Sequence, residues 1–421
     1  MKSTIFNEPC YDLYVYNVES FKTSCIDFVF SIPFSKDNLG YISFLKKVLG
    51  LVSKDYPYRK DVVKEFEKLY NIRIGASLNK SINSITLTLS LGTINDTYTK
   101  KNNMYEAVIL LFKLINHPLV KKGEFDERIF RIIKKELKDD LLRHDEDINR
   151  VSYEKLIKHI DPNSTHALKL VGDKETINKL NASKMATYYE EFFKRASVKI
   201  FAVGEYDANK LNDIIKKYHQ FKANPFYKYQ KQGLNIDPKL SLKIIDQGNF
   251  KQSKLYTFIQ IDNVSDLELC TVGRVFNEIF GHGTLSNKLF KKVREENSLC
   301  YHISSNMQYY INAFVVGAGI KKSNFDKTIK LIKECLVEMQ EGKFSETDVE
   351  EAKKLLDFSY EMNYDSVESI CNMMQNEPVY NEPTLDDIKL KTREVTKKDI
   401  IAFANHLTIV TNYMLAEEEN E

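Results

Sequence analysis

The stretch GYISFLKKVL, residues 40–49, holds the side chains whose spacing bears most directly on chemistry. Wound as a helix, it puts Ile42, Leu45, Val48, Leu49 and Val52 on one apolar face and Ser43, Lys46 and Lys47 on the opposite, polar face. Positions i, i+3 and i+4 lie within one turn, the spacing at which imidazoles and a carboxylate can surround a metal ion. Here that face carries a hydroxyl and two ammonium groups. An ammonium donates hydrogen bonds, has no lone pair for a metal, and repels a dication. The plain alternative, two lysines on the wet side of an amphipathic helix, predicts no catalysis either. A second candidate is the pair Arg294 and Tyr301 in NKLFKKVREENSLCY, which supplies a fork of charged donors and a phenolic donor.

No other metal or nucleophile centre is legible. The eight histidines (His117, His144, His159, His166, His219, His282, His302 and His406) contain no pair at i, i+3 or i, i+4. His144 amid Asp145, Glu146 and Asp147 is the nearest approach to a cluster, and such a charge run reads as a solvated helix end or loop. Gly281 and Gly283 in GHGTLS suit either the turn that ends a helix or the close approach of a peptide backbone. The sequence contains no G-x-S-x-G, no P-loop, no catalytic cysteine motif and no aromatic and basic pattern for nucleic acid.

The bulk composition narrows the class. With 421 residues and 43% hydrophobic side chains the chain can build two or more ordinary cores. A net charge of +2, from 61 basic against 59 acidic residues, gives no general pull on polyanions. Cys10, Cys25, Cys270, Cys300, Cys335 and Cys371 are far apart with no C-x-x-C, as expected of reduced thiols in a cytoplasmic protein. No segment approaches 18 uncharged apolar residues, so neither a signal peptide nor a membrane span is expected.

The elements that must position these residues come in two similar series. In the first, the alternating runs YDLYVYNV and FKTSCIDFVFSIPF read as strands, followed by the residue 40–49 helix and a second helix, DVVKEFEKLYN. The strand SINSITLTLSLGTI and two helices, MYEAVILLFKLINH and FDERIFRIIKKELKDDLL, come next. In the second series LSLKIIDQGNF and SKLYTFIQID read as strands, and ELCTVGRVFNEIFG and SNKLFKKVREEN as helices. The strand INAFVVGAGI and helices FDKTIKLIKECLVEMQ and SETDVEEAKKLLDFSYEM complete it. Phe66 and Phe290 are 224 residues apart, Ile94 and Ile320 are 226 apart, and the helix caps Asn181 and Thr396 are 215 apart. A near-constant offset predicts duplication, with domains at 1–220 and 240–421 joined by a linker at 221–239.

These features together resemble the insulinase or pitrilysin type of metallopeptidase, which includes the mitochondrial processing peptidases, over nearly the whole chain. In that family a helix of the form G-x-A-H-F-L-E-H-x-L carries an H-x-x-E-H zinc motif. Gly40, Phe44, Leu45 and Leu49 keep its register, so the resemblance places Ser43, Lys46 and Lys47 at the His, Glu and His positions and Glu136 at the third ligand. In the family's G-G-x-x-S-x-L-F-x-x-x-R-E-x-x-x-L-x-Y segment, Arg294 and Tyr301 match the residues that bind and polarise substrate. The segments around Gly172 and Gly204 match as markers of the fold.

The resemblance implies an α+β fold of two duplicated domains, each a mostly antiparallel sheet packed with helices, arranged as a clamshell around a chamber. It also implies a noncatalytic subunit with no cofactor of its own, zinc being expected only in a homologous peptidase partner that shares the peptide substrate. The pathways it brings with it are peptide processing, including bacteriocin leader maturation, and modification of elongation factor P. A structural or peptide-binding scaffold without a protease partner is the alternative. An extended peptide held by main-chain hydrogen bonds is a further expectation, with SINSITLTLSL and INAFVVGAGI as candidate edge strands.

Overall fold

The computed structural model describes residues 3–81, 83–99, 102–222, 233–237, 239–283, 285–376 and 384–418. Of the expected linker at 221–239, residues 223–232 and 238 lie outside the described residues.

The chain begins with strands β1 (Thr4–Glu8), β2 (Tyr11–Asn17) and β3 (Thr23–Pro33), then helices α1 (Leu39–Val48) and α2 (Arg59–Lys68). Strands β4 (Arg73–Lys80) and β5 (Ser84–Ile94) precede α3 (Asn103–Asn116), a short hairpin of β6 (Val120–Lys121) and β7 (Glu124–Phe125), and the long α4 (Glu127–Glu146). Helices α5 (Ile148–Ile160), α6 (Lys174–Asn178) and α7 (Ala182–Arg195), strand β8 (Ser197–Gly204) and α8 (Ala208–Tyr218) end this half. The second half runs β9 (Lys243–Gly248), β10 (Lys254–Ile261), α9 (Asp266–Cys270), α10 (Val272–Phe280), β11 (Cys300–Gln308) and β12 (Ala313–Ile320). It closes with α11 (Phe325–Gln340), α12 (Glu346–Met362), α13 (Val367–Asn376), α14 (Leu385–Glu394), α15 (Lys397–Ala404) and β13 (Leu407–Glu417).

The duplication is written in the sheets. One has the order β1-β2-β8-β3-β5-β4, the other β11-β12-β10-β13-β9. Read from the opposite edge and without β1, the two orders match strand for strand. Each is antiparallel except for one pair, β2 with β8 and β9 with β13, at the same place in both sheets. The landmarks expected from the sequence fall at equivalent points. Ile94 and Ile320 end β5 and β12, while Asn181 and Thr396 cap α7 and α15 through their side chains.

Two compact units result, but they are not uninterrupted halves. The first comprises Met1–Arg143, Lys169–Tyr229 and Asn363–Asn376, the second His144–Leu168, Gln230–Met362 and Glu377–Glu421. Helix α5 of the first half therefore belongs to the second unit, and α13 of the second half to the first. This departs from the contiguous domains expected at 1–220 and 240–421.

The exchanged helices explain why the central strands are buried on both faces. Along β3, Phe28 meets Phe112 of α3 and Phe30 meets Phe192 and Phe193 of α7. The alternate residues Cys25 and Asp27 face α13, the thiol donating to the Val367 carbonyl and the carboxylate accepting from Gln375 Nε2 at 2.5 Å. In the second unit Phe258, Val315 and Tyr413 pack with Leu156, Ile157 and Ile160 of α5. Leu255, Ile259 and Phe314 pack on the other side with Phe276, Phe280 and Phe403.

One expectation is corrected. Strands β5 and β12 are interior, each bonded on both sides, so neither has a free edge for a peptide. The edges are β1 and β4 in the first sheet and β11 and β9 in the second. Both sequences read as strands because they are apolar, and strands that apolar lie inside a sheet.

Candidate functional site

Helix α1 buries Ile42, Phe44, Leu45 and Val48 and turns its lysines outward. Phe44 fixes it against the following elements, its ring 5.6 Å from Phe125 of β7 and 5.3 Å from Phe130 of α4. At the other end Gly40 lets the backbone of α6 approach, since a Cβ there would lie 3.2 Å from the Thr176 carbonyl oxygen. That contact depends on Gly172, whose φ of +86° turns the chain into the Asp173–Thr176 capping box. The matched segment around Gly172 thus builds the wall beside α1.

The four residues matched to zinc positions have distinct surroundings. Ser43 is buried rather than on a wet face, and its hydroxyl donates to the Leu170 carbonyl at 2.7 Å. The chain around residues 169–180 covers that side of α1, which the periodicity of the helix alone does not show. Lys46 is exposed. Lys47 reaches α4, its Nζ 3.3 Å from Glu136 Oε2 and 2.7 Å from Asp140 Oδ2.

Glu136 and Asp140 stand one helical turn apart and share this ammonium, while Arg143 also bonds Asp140. Burial acts to raise the Asp140 pKa, but the Lys47 and Arg143 bonds and charges outweigh it and hold the carboxyl below the usual aspartate range. Asp140 was not among the residues singled out from the sequence. Its position four residues after Glu136 on a helix was the available signal.

This donor set does not fit zinc. The Ser43 hydroxyl is committed to a carbonyl, Lys47 has no lone pair, and its charge already neutralises the carboxylates a dication would need. Among the described residues no three His, Cys, Asp or Glu side chains gather as metal ligands. His144 instead places Nε2 2.9 Å from Glu154.

In the second unit, Arg294 lies on a π-helical segment, Phe290–Glu295, that follows the glycine loop. Such wide turns recur at functional sites. Its guanidinium stacks 4.4 Å from the Phe290 ring centre and 4.9 Å from that of Tyr301. Among the described residues it has no carboxylate partner, although Glu295 and Glu296 follow it directly.

Tyr301 is 83% exposed and is the second residue of the edge strand β11. The β11 register with β12 slips between Cys300 and Ile303, so Tyr301 and His302 sit in a bulge with both side chains outward. The structure thus brings Arg294 and Tyr301 together, eight residues of sequence folding into one stacked pair.

The glycines serve packing. A Cβ at Gly281 would lie 2.5 Å from Leu289 Cδ1, and one at Gly283 2.6 Å from Glu278 Oε2, so both let the loop fold back on α10. Thr284 of the same loop lies outside the described residues. Gly204 ends β8 at φ +133°, where a Cβ would collide with Ser24.

Known proteins agree with this architecture. A family model described as the Peptidase M16 inactive domain matches residues 179–356. A Bacillus subtilis protein named probable inactive metalloprotease YmfF is 25% identical over 410 residues, 96% of each chain. From the same organism, the uncharacterized zinc protease YmxG is 20% identical over 299 residues, 69% of this chain and 71% of that one.

Among solved structures, a conserved protein from Enterococcus faecalis V583 superposes with a TM-score of 0.87 at 23% identity over 100% of both chains. The peptidase M16 inactive domain from Pseudomonas fluorescens superposes with a TM-score of 0.81 at 15% identity, over 100% of this chain and 98% of that one. Those two establish the α+β fold. Together with the family match over residues 179–356 and the full-length relative, they make the chain similar to proteins described as inactive members of the M16, insulinase-type, peptidases.

Proposed function

We propose that the chain is the noncatalytic subunit of a heterodimeric M16 peptidase, which binds and positions a peptide for a homologous partner carrying the zinc helix. The observation that carries this reading is the opposite state of two cations. Lys47 is consumed by Glu136 and Asp140, whereas Arg294 has no carboxylate partner among the described residues and stacks on an exposed tyrosine. In this reading Ser43, Lys46, Lys47 and Glu136 are the remnants of the metal site.

Arg294 and Tyr301 are the substrate-binding pair, donating to a peptide carbonyl through a guanidinium and a phenol. Among the described residues β4 and β11 are edges of their sheets, the strands to which an extended peptide would add. Zinc belongs to the partner, this chain having no cofactor, and six free cysteines fit a cytoplasmic site of action. The reaction served is peptide trimming, such as leader maturation. Relatives named inactive metalloprotease and zinc protease in one organism support a pairing of this kind.

Co-expression with an H-x-x-E-H homologue from the same genome tests it. A stable complex that cleaves an unstructured peptide, and loses rate on Arg294→Ala in this chain, is the expected result. Wild-type rates from that variant would remove Arg294 from the site, and a complex without hydrolysis would point to a scaffold.

A further inference from the structure

The surroundings of Arg294 and Tyr301 carry more information than the pair itself. Beside Tyr301 lies an open cleft of about 400 Å³ whose lining includes Lys251, Ser253, Cys300, Lys321 and Glu417. Lys251 and Lys321 are exposed and, among the described residues, have no carboxylate partner. Glu417 is the one acid of the lining and is likewise exposed. The half-buried Cys300 thiol of the lining also feels the charges of Arg294 and Lys254. Lys254 lies mostly out of water, its Nζ 5.4 Å from the Tyr256 ring centre, with the Asp147 charge acting on it.

Several half-buried or exposed cations elsewhere in this unit are paired with acids, which leaves them less to offer a ligand. Lys288 and Lys292 share Glu338, Lys389 bonds Glu361, and Arg393 bonds Asp357. The cleft is thus a place where uncompensated positive charge, a concave wall and a carbonyl-binding pair coincide.

We propose that this cleft selects peptides bearing a carboxylate next to the segment held by Arg294 and Tyr301. Lys251 and Lys321 are the specificity-determining cations. The inference rests on the peptide-binding role assigned to Arg294 and Tyr301, and it names the class of peptide: acidic at the position that enters the cleft, whether through an Asp or Glu side chain or through a free C-terminus. Charge-assisted bonds to a carboxylate in a walled cleft favour it over the isosteric amide, and the preference weakens with salt as the cleft is open to solvent.

The test needs only this chain and three fluorescein-labelled nonapeptides. One carries a central Asp-Glu pair and an amidated C-terminus, the second has Asn-Gln at those positions with the same amidation, and the third has Asn-Gln and a free C-terminus. By fluorescence anisotropy at low salt, the acidic peptide or the free-terminus peptide binds about fivefold to tenfold tighter than the neutral amidated one. Which of the two does so assigns the carboxylate to a side chain or to the terminus.

The double variant Lys251→Glu, Lys321→Glu, confined to exposed positions, abolishes or inverts that preference, while Arg294→Ala weakens all three peptides alike. Equal binding of the three peptides, binding of none, or a preference that survives the double charge reversal overturns the proposal. If hydrolysis by the complex still depends on Arg294 while no carboxylate preference exists, this inference alone falls. If hydrolysis is indifferent to Arg294, the peptide-binding role falls with it.

Discussion

Two cationic sites, one in each unit, have opposite electrostatics. On α1 the Lys47 ammonium lies between Glu136 and Asp140, 21% exposed, with every charge matched at bonding distance. Around the π-helical segment, Arg294 is stacked on the rings of Phe290 and the exposed Tyr301, and Tyr301 shares a cleft with Lys251 and Lys321, which have no carboxylate partner among the described residues. A closed ion pair holds elements together and has little left to offer a ligand, whereas a guanidinium stacked on rings and without a carboxylate partner still has its charge to spend on one. The difference teaches that the same charge, set in two units of one molecule, is neutralised by carboxylates in one and left to aromatic rings in the other.

Rebuilding the first site is the most demanding test of the contrast. Replacing Ser43→His, Lys46→Glu and Lys47→His restores the donors while Glu136 remains on α4. We expect about one zinc per chain with sub-micromolar affinity, against none for the parent, measured by metal analysis after dialysis. A folded variant that binds no zinc would show that Glu136 is not placed as the third ligand.

The second largest effect is kinetic. In a complex with the zinc-bearing partner, Arg294→Ala lowers kcat/KM by about 10²-fold, as loss of a charged donor to a developing oxyanion does, while Lys47→Met changes it less than about threefold. Equal losses from the two variants would erase the distinction between the sites.

Stability gives a smaller readout. Lys47→Met leaves Glu136 without its cation and Asp140 with Arg143 alone, and costs about 1 kcal/mol, a fall of roughly 3 °C in Tm. The pH dependence has a definite sign. Asp140 is held below its ordinary 3.8, so its contribution is complete above that pH and is lost as pH falls through the lower folded value. Lys47→Met therefore flattens the acid limb of the stability curve, and an unchanged limb would count against the pair.

The smallest effect belongs to the glycine loop. His282 Nδ1 lies 2.8 Å from Glu278, a bond that raises the imidazole pKa above 6.5 against the opposing pull of burial. Its stabilisation is full below pH 6.5 and disappears as pH rises through the folded value. His282→Asn removes that slope, and thermal scans between pH 6 and 9 would detect it.

Much of this was legible along the chain. The register of α1 followed from Ile42, Leu45 and Val48, and the absence of metal donors from Ser43, Lys46 and Lys47 themselves. The caps Asn181 and Thr396 marked helix starts because their side chains answer local backbone donors. Strand β4, with Gly75 and alternating half-exposed residues, gave no strong signal, because an edge strand needs little apolar surface. The burial of Ser43 was hidden for another reason: its cover comes from residues 169–180, far along the chain.

Sequence by itself determined which groups are available: that α1 carries no ligand for a metal, that Arg294 and Tyr301 are present, and that two similar series of elements follow each other. Those statements depend on residue type and on contacts within a few positions. Tertiary structure alone decided which charges meet and which stay free. The pairing of Lys47 with Asp140 and the exchange of α5 and α13 between units join distant segments, and the stacking of Arg294 on Tyr301 depends on the π-helical turn and the bulge that lie between them. Charge compensation is a property of distances in space, and the amphipathic pattern of a helix says that it will be covered without saying by which sheet.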